Sequence, residues 1–385
     1  MSEKVTNTDN PDVSVIIPMY NLEKFIGQCL DSLKEQSWRD FEVICVDDGS
    51  GDSTCDIVKE YMDSDGRIRL VSMPHCGRAG IMRNEGLKHA RGEYCLFLDG
   101  DDFFEPEMIE KALRKAREDQ ADICLFDARL YNEKSKKYKE IDYVLQKEYF
   151  PEHIPFEGKS CPYIFNITTG CPWSKLIKKS LIDKNGLQFM DLYRSNDVYF
   201  IFMALALAER ITVLPEVFVN YRQSGESLQA NNARSPWDWY KALQALSAEL
   251  KRRGLYRDLE LSFKNLVFGV SIYNMCSLKT PEVYSEVYRK LKNEIFREFS
   301  LEDFSEQDCY SYNKKKYEIY LNMKKYEVDE YLFLELAKMK QEKSYWLNRA
   351  KKAEKEISDI KESTTFKTGK KVLAAPKKIK KLLAK

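Results

Sequence analysis

Histidine is almost missing from this chain, with three in 385 residues, and the ten cysteines never form a C-x-x-C pair or cluster with the histidines at metal-ligand spacing. A zinc ribbon or a disulfide framework is therefore not expected. Cys29, Cys45 and Cys95 fall at apolar positions of predicted elements, the pattern of buried thiols in a reducing compartment. Long apolar runs are lacking too. The longest, Val198 to Ala208, is too short to span a bilayer and suits a buried core helix. No sign of charge is in excess: Lys+Arg 62 against Asp+Glu 61 leaves +1, so no global field attracts nucleic acid and any basic contact must be local. Neither G-x-G-x-x-G nor G-x-x-x-x-G-K-[ST] occurs, which removes the dinucleotide and P-loop readings. The first twelve residues are polar and carry no signal-peptide pattern, so a cytoplasmic protein is expected.

What is present begins with the length, which predicts two or three structural units, and 43% hydrophobic residues, enough for a sizeable core. The chain is organised around Tyr94-Cys95-Leu96-Phe97-Leu98-Asp99-Gly100-Asp101-Asp102, where five apolar residues run into three carboxylates. The apolar run predicts a strand buried on both faces. Open α/β sheets bind ligands at the carboxyl ends of such strands. Three clustered acids repel one another unless a cation compensates, and carboxylate oxygens suit Mg²⁺ or Mn²⁺, which in turn hold phosphates. The same residues equally suit a polar turn and a helix N-cap.

Around this strand the chain alternates. Val13 to Pro18, Phe41 to Val46, Ile68 to Val71 and Ile123 to Phe126 read as further strands. Helical spacing marks Ile26 to Leu33, Thr54 to Tyr61, the segment around Arg83 to Gly86, and Glu107 to Arg117. Strands alternating with helices of about ten residues predict βαβ units in a mostly parallel sheet. Two of these strands end in acids, Asp47-Asp48 and Asp99 to Asp102. Parallel strands put both clusters on one edge, where they can line one crevice.

Four ordered motifs then acquire meaning together: Val13 to Asn21 (VSVIIPMYN), Phe41 to Ser50 (FEVICVDDGS), Arg83 to Gly86 (RNEG) and Gly92 to Asp102 (GEYCLFLDGDD). They resemble the inverting glycosyltransferases of family 2, with the GT-A fold, over roughly residues 13–227. The resemblance implies that Asp48, beside Asp47, hydrogen-bonds the nucleotide base, usually uracil, and that Pro18 and Tyr20 frame its pocket. It implies that Asp99-Gly100-Asp101 is the D-x-D motif for a divalent cation, with Asp102 near the ion. Arg83 could meet the pyrophosphate, or be a surface helix charge. Asp197, opening the apolar helix, stands where the family keeps its catalytic base; the family often has Glu before it, where this chain has Asn196. A plain helix N-cap is the other reading, for which Ser195, Asn196 and Asp197 all qualify. Trp173 lies where similar enzymes place a tryptophan beside the donor sugar and acceptor; a core Trp173 with a surface Lys175 is equally open. Arg222, after the strand Val213 to Val219, is a weaker phosphate candidate.

Beyond Trp237 the character is helical, with Leu243, Leu246 and Leu250 on one face and Thr280-Pro281 opening a helix. From Leu332 to Ile360 apolar positions alternate steps of four and three, a coiled-coil seam weakened by Lys343, Ala350 and Ala353. A homodimer and a helix folded back on the body are both open. From Phe366 onward eight lysines and no acid accompany Val372, Ile379, Leu382 and Leu383, which suits an anionic membrane surface, a solvated tail or an RNA-binding one. The expected organisation is a tail at 1–12, a GT-A domain at 13–230, a helical domain at 231–330, a long helix or coiled coil at 331–363, and a basic tail at 364–385.

The leading expectation is a metal-dependent, non-processive enzyme moving one sugar from a nucleotide-sugar, of UDP type, to a glycan or lipid-linked acceptor at the inner face of the cytoplasmic membrane. The processive relatives' Q-x-x-R-W motif and membrane spans are missing. A sugar-phosphate nucleotidyltransferase would bring a glycine-rich loop near the first strand, where Ile17 to Asn21 offers none. A non-catalytic membrane-docking scaffold would not need Asp99, Asp101 and Asp197.

Overall fold

The computed structural model describes residues 10–224, 233–309, 314–365 and 367. The chain packs as two compact units, Met1–Tyr320 and Leu321–Lys385.

The first unit is built on one nine-stranded sheet with strand order β3-β2-β1-β4-β8-β6-β9-β5 and β7 beside β6. The strands are β1 (Val13–Met19), β2 (Phe41–Asp47), β3 (Ile68–Ser72), β4 (Tyr94–Phe97), β5 (Phe103–Phe104), β6 (Ile123–Asn132), β7 (Lys137–Glu140), β8 (Lys175–Lys178) and β9 (Ile211–Gln223). β1 lies between β2 and β4, parallel to both, and β3 continues the parallel set. Val15, Ile16, Ile17, Ile44, Leu96 and Phe97 are fully buried, as the unbroken apolar runs require. The expected α/β architecture is therefore present. Beyond β4 the sheet turns antiparallel: β8 pairs antiparallel with β4 and β6, and β5 with β9, while β6 and β9 run parallel. The sequence pattern misses β5, β7 and β8. β5 has two residues, every residue of β7 is exposed, and β8 opens with a lysine.

Helices α1 (Ile26–Lys34), α2 (Thr54–Ser64), α3 (Ala79–His89), α4 (Met108–Glu118), α5 (Lys179–Asn185) and α6 (Asn196–Leu207) accompany the strands. α3 approaches the sheet closely because of Gly86: a Cβ there would lie 2.4 Å from Ile16 Cγ2. Nearly every residue of α6 is buried, so the long apolar run is a core helix. Among the described residues no helix is long and apolar enough to cross a membrane. All ten cysteines are free thiols, and burial pushes Cys45 and Cys95 up to about 12.

After the sheet come α7 (Asp238–Arg252), α8 (Tyr256–Cys276) and α9 (Pro281–Lys290). α7 buries the expected Leu243, Leu246 and Leu250 and packs on α6 and α8. Phe263 and Phe299 meet edge-on there at 5.7 Å.

The second unit contains the helix Val328–Glu362, which starts with a reciprocal cap: the Glu327 side chain accepts the Glu330 N–H, and Glu330 accepts the Glu327 N–H. Along it Phe333, Leu336, Met339, Trp346, Ile357 and Ile360 are exposed. Apart from 364, 365 and 367, the basic tail lies outside the described residues, as do residues 1–9 of the N-terminal tail.

Candidate active site

The parallel register sets Met19 beside Asp47, and Ile16 beside Phe97, so β1, β2 and β4 end on one edge. Both acid clusters stand there. Asp48, one residue past β2, accepts the N–H groups of Cys76 at 2.7 Å and Gly77 at 2.8 Å through its two carboxylate oxygens. His75 donates from Nδ1 to the Asp48 carbonyl at 2.9 Å, and the same nitrogen is 3.2 Å from Oδ2. Gly49 permits the approach: its φ is +69° and a Cβ would lie 2.9 Å from His75 N. The Tyr20 ring stacks on His75 with centroids 4.2 Å apart and planes 23° from parallel. Tyr20 is 45% exposed, so the stacked pair presents an aromatic face to solvent beside a carboxylate. A planar heterocycle with an N–H edge is complementary to such a pair. Pro18 pairs with Val46 in the adjoining register of β1 and β2. Asp47 turns inward: its Oδ2 accepts the N–H groups of Gly49 and Ser50, both at 3.1 Å, and shapes the loop that carries Asp48.

The β4 acids divide by environment. Asp99 accepts Arg83 at 2.8 Å. Burial, with Asp99 close by, pushes the Asp101 carboxyl up to about 6. Asp102 is fully buried, and burial with Asp101 and Asp99 raises its carboxyl well above the usual range. Its Oδ1 accepts the Arg222 N–H at 2.8 Å, while its buried Oδ2 has no protein partner. Gly100 packs closely under Leu22: a Cβ would lie 2.8 Å from Leu22 Cδ1, the mobile end of that side chain.

A bound cation would relieve both the raised Asp101 and Asp102 carboxyls and the unpartnered Asp102 oxygen. Among the described residues no three His, Cys, Asp or Glu groups converge as a complete metal cage. Mg²⁺-type ions need no such cage, since they use one or two carboxylates plus substrate phosphates. The donor set therefore fits a hard divalent ion completed by a diphosphate.

Arg83 and Arg222 hold this edge together. Arg83 reaches from α3 to Asp99 and donates to Asn196 Oδ1 at 3.0 Å, with its guanidinium 5.4 Å from the Phe189 ring centroid. It is buried, not a surface helix charge. Asn196 supplies a neutral acceptor where a Glu would form an ion pair. Arg222 donates to the Asp101 carbonyl at 2.6 Å, to Gln28 at 2.7 Å and to Glu133, with Phe25, Phe103 and Tyr131 around its guanidinium. It anchors the acid loop.

Asp197 sits in the first turn of α6. Burial raises its carboxyl, while Arg83 and more weakly Lys175 pull it back. The capping position belongs to Ser195, whose φ is +53° and whose side chain makes no cap bond. Trp173 is buried and stacks on Tyr221 at 5.8 Å. Lys175 is fully buried, which removes the reading with a surface lysine, because β8 inserts between β4 and β6. Its ammonium donates to the Cys171 carbonyl at 2.8 Å and to Ser174 Oγ at 3.1 Å. Burial lowers it to about 8, opposed by Cys171 and Asp197. His75 and buried Lys175 are the members of this edge that motif reading passes over.

An α/β sheet carrying acids at the ends of its parallel strands, followed by helices, defines a protein of the GT-A class. Residues 14–186 match the family model for Glycosyl transferase family 2, so the chain carries a domain of that family. It is 34% identical over 226 residues to the uncharacterized glycosyltransferase EpsJ of Bacillus subtilis, covering 57% of this chain and 63% of that one. It is 30% identical over 274 residues to the poly(ribitol-phosphate) beta-N-acetylglucosaminyltransferase TarS of Staphylococcus aureus strain Mu50, covering 69% of this chain and 46% of that one. The solved structure of S. aureus TarS 1-349 in complex with UDP-GlcNAc superposes with a TM-score of 0.62 at 26% identity, covering 75% of this chain and 83% of that one. The chain thus spans about six tenths of the length of the first curated relatives it matches.

Proposed function

We propose that this protein is an inverting, non-processive glycosyltransferase that moves one sugar from a UDP-sugar to a hydroxyl of a glycan or lipid-linked acceptor in cell-surface polysaccharide synthesis. The observation that carries the reading is the single sheet edge on which Asp48 with the Tyr20–His75 stack, the Asp99–Asp101 cluster and the first turn of α6 are assembled. The similar structure's complex with UDP-GlcNAc supports the choice of a uridine donor.

In this reading the base stacks near Tyr20 and is hydrogen-bonded by Asp48, with Pro18 and Asp47 shaping that pocket. Asp99 and Asp101, backed by Asp102, would hold Mn²⁺ or Mg²⁺, which when bound neutralises charge on the departing diphosphate. Arg83 steers Asp99 and the start of α6 and adds positive potential for the pyrophosphate. Asp197 takes the proton from the attacking acceptor hydroxyl on the face opposite the leaving group, which gives inversion. Burial raises its pKa, which strengthens it as a base. Trp173 and Lys175 form the wall behind it.

Residues 13–230 are the catalytic region, 231–330 the helical support. Two further contacts complete the proposal: a second copy of the chain through 331–363, and the anionic inner face of the cytoplasmic membrane through the basic segment from 364. Incubating the purified chain with a panel of UDP-sugars and Mn²⁺ tests the core of it. Release of UDP from one or a few donors is expected, and no release from any sugar nucleotide refutes it.

A further inference from the structure

The helix Val328–Glu362 keeps Leu336, Met339, Trp346, Ile357 and Ile360 exposed. An apolar row recurring on average every 3.5 residues is the surface that a neighbouring helix covers. The charges beside the row select the occupant. With Leu336 as position a and Met339 as d, the seam is flanked by g positions before each a and e positions after each d. In a parallel, in-register pair each g faces the e of the partner helix five residues further on. Glu335 then faces Lys340, Arg349 faces Glu354, and Glu356 faces Lys361, opposite signs each time. The remaining g residue, Glu342, faces Leu347 and meets no like charge. An antiparallel pair sets g against g and e against e, and three of the four g positions are acidic.

We propose that a second copy of this chain covers the row, as a parallel, in-register coiled coil over 331–363. This deepens the self-association proposed above and does not depend on the chemistry at the sheet edge. Lys343 occupies an a position, where a single polar residue fixes register and favours two strands at some cost in stability. Ala350 and Ala353 leave the helices close together in the third heptad.

Sedimentation velocity of the full chain at about 10 µM tests this, using two charge-reversed variants. One carries Lys340→Glu, Glu354→Lys and Lys361→Glu; the other carries Glu335→Lys, Arg349→Glu and Glu356→Lys. Circular dichroism confirms that both keep their helix. The natural chain is expected to be a dimer. Each variant alone sets like charges across six contacts and should weaken self-association on the order of a hundredfold. An equimolar mixture of the two variants restores every opposite pair and should sediment as a heterodimer. A monomeric natural chain overturns the proposal. So do variants that each dimerise as well as the natural chain, as an antiparallel pair or another interface would, and so does a mixture that stays monomeric.

Discussion

Replacing Lys175 with methionine should make the protein more stable and less competent, and the structure gives the size of the first effect. The ammonium is fully buried and its pKa falls from 10.5 to about 8. That fall corresponds to about 3 kcal/mol by which folding disfavours the charged form. Methionine is of similar length and carries no charge, so this cost disappears. Against it stand two lost hydrogen bonds, to the Cys171 carbonyl and Ser174 Oγ, each worth about 1 kcal/mol net. Lys175→Met should therefore gain about 1 kcal/mol at pH 7. The sign of the pH dependence is fixed, because the folded pKa is below the unfolded one. The cost is fully present below pH 8 and fades as pH rises from about 8 towards 10.5, where the unfolded chain binds more protons. Between pH 7 and 9.5 the stability difference between variant and natural protein should shrink by about 2 kcal/mol. Urea titrations at the two pH values measure it. Lys175 also lowers the pKa of Asp197, so the acidic limb of kcat/KM should move to higher pH in the variant. A stability difference independent of pH, or a variant less stable by 2 kcal/mol or more at pH 7, would refute the account of a buried charge.

Asp197→Asn preserves size but cannot accept a proton, so turnover should fall about 10²–10⁴-fold while donor affinity, read by calorimetry, stays near the natural value. Asp101→Ala should abolish divalent-ion-dependent binding of the UDP-sugar, and full turnover in excess EDTA would contradict the ion's role. Truncation after Ser363 should leave UDP release in solution intact while lowering pelleting with anionic vesicles. Each lysine contributes on the order of 1 kcal/mol there, weakened by salt, and equal pelleting of both forms would exclude the tail as the anchor.

Much of the acidic edge is legible in the sequence, because its signals are local. An apolar run stopping at carboxylates marks a buried strand and its exposed end in consecutive residues, and parallel topology then places Asp47-Asp48 and Asp99 to Asp102 together. The steps of three and four along the last long helix are equally local. What stayed hidden depends on distant partners. Arg83 and Asn196 are 113 positions apart, and nothing near either residue announces their bond. Lys175 sits in Ser174-Lys175-Leu176-Ile177-Lys178, which reads as an amphipathic surface. It is buried only because β4 and β6, both from earlier in the chain, flank β8 on either side. Asn196, in place of the family's frequent glutamate, gives Arg83 an acceptor that leaves the guanidinium's charge for Asp99 and the space around it. His75 belongs to no motif, and only the folded loop stacks it on Tyr20.

The helix Val328–Glu362 is also a ruler. At 1.5 Å per residue its 35 residues hold the chain before Val328 and the chain after Glu362 about 52 Å apart. A flexible segment of equal length would wander around an end-to-end distance of roughly 33 Å. In the parallel pair proposed above both copies leave this rod at the same end, so the two basic segments from 364 begin side by side. The arm can be lengthened or shortened without breaking its apolar seam only in steps of seven residues, about 10.5 Å each. Related chains that keep the seam would then differ in length here by whole heptads.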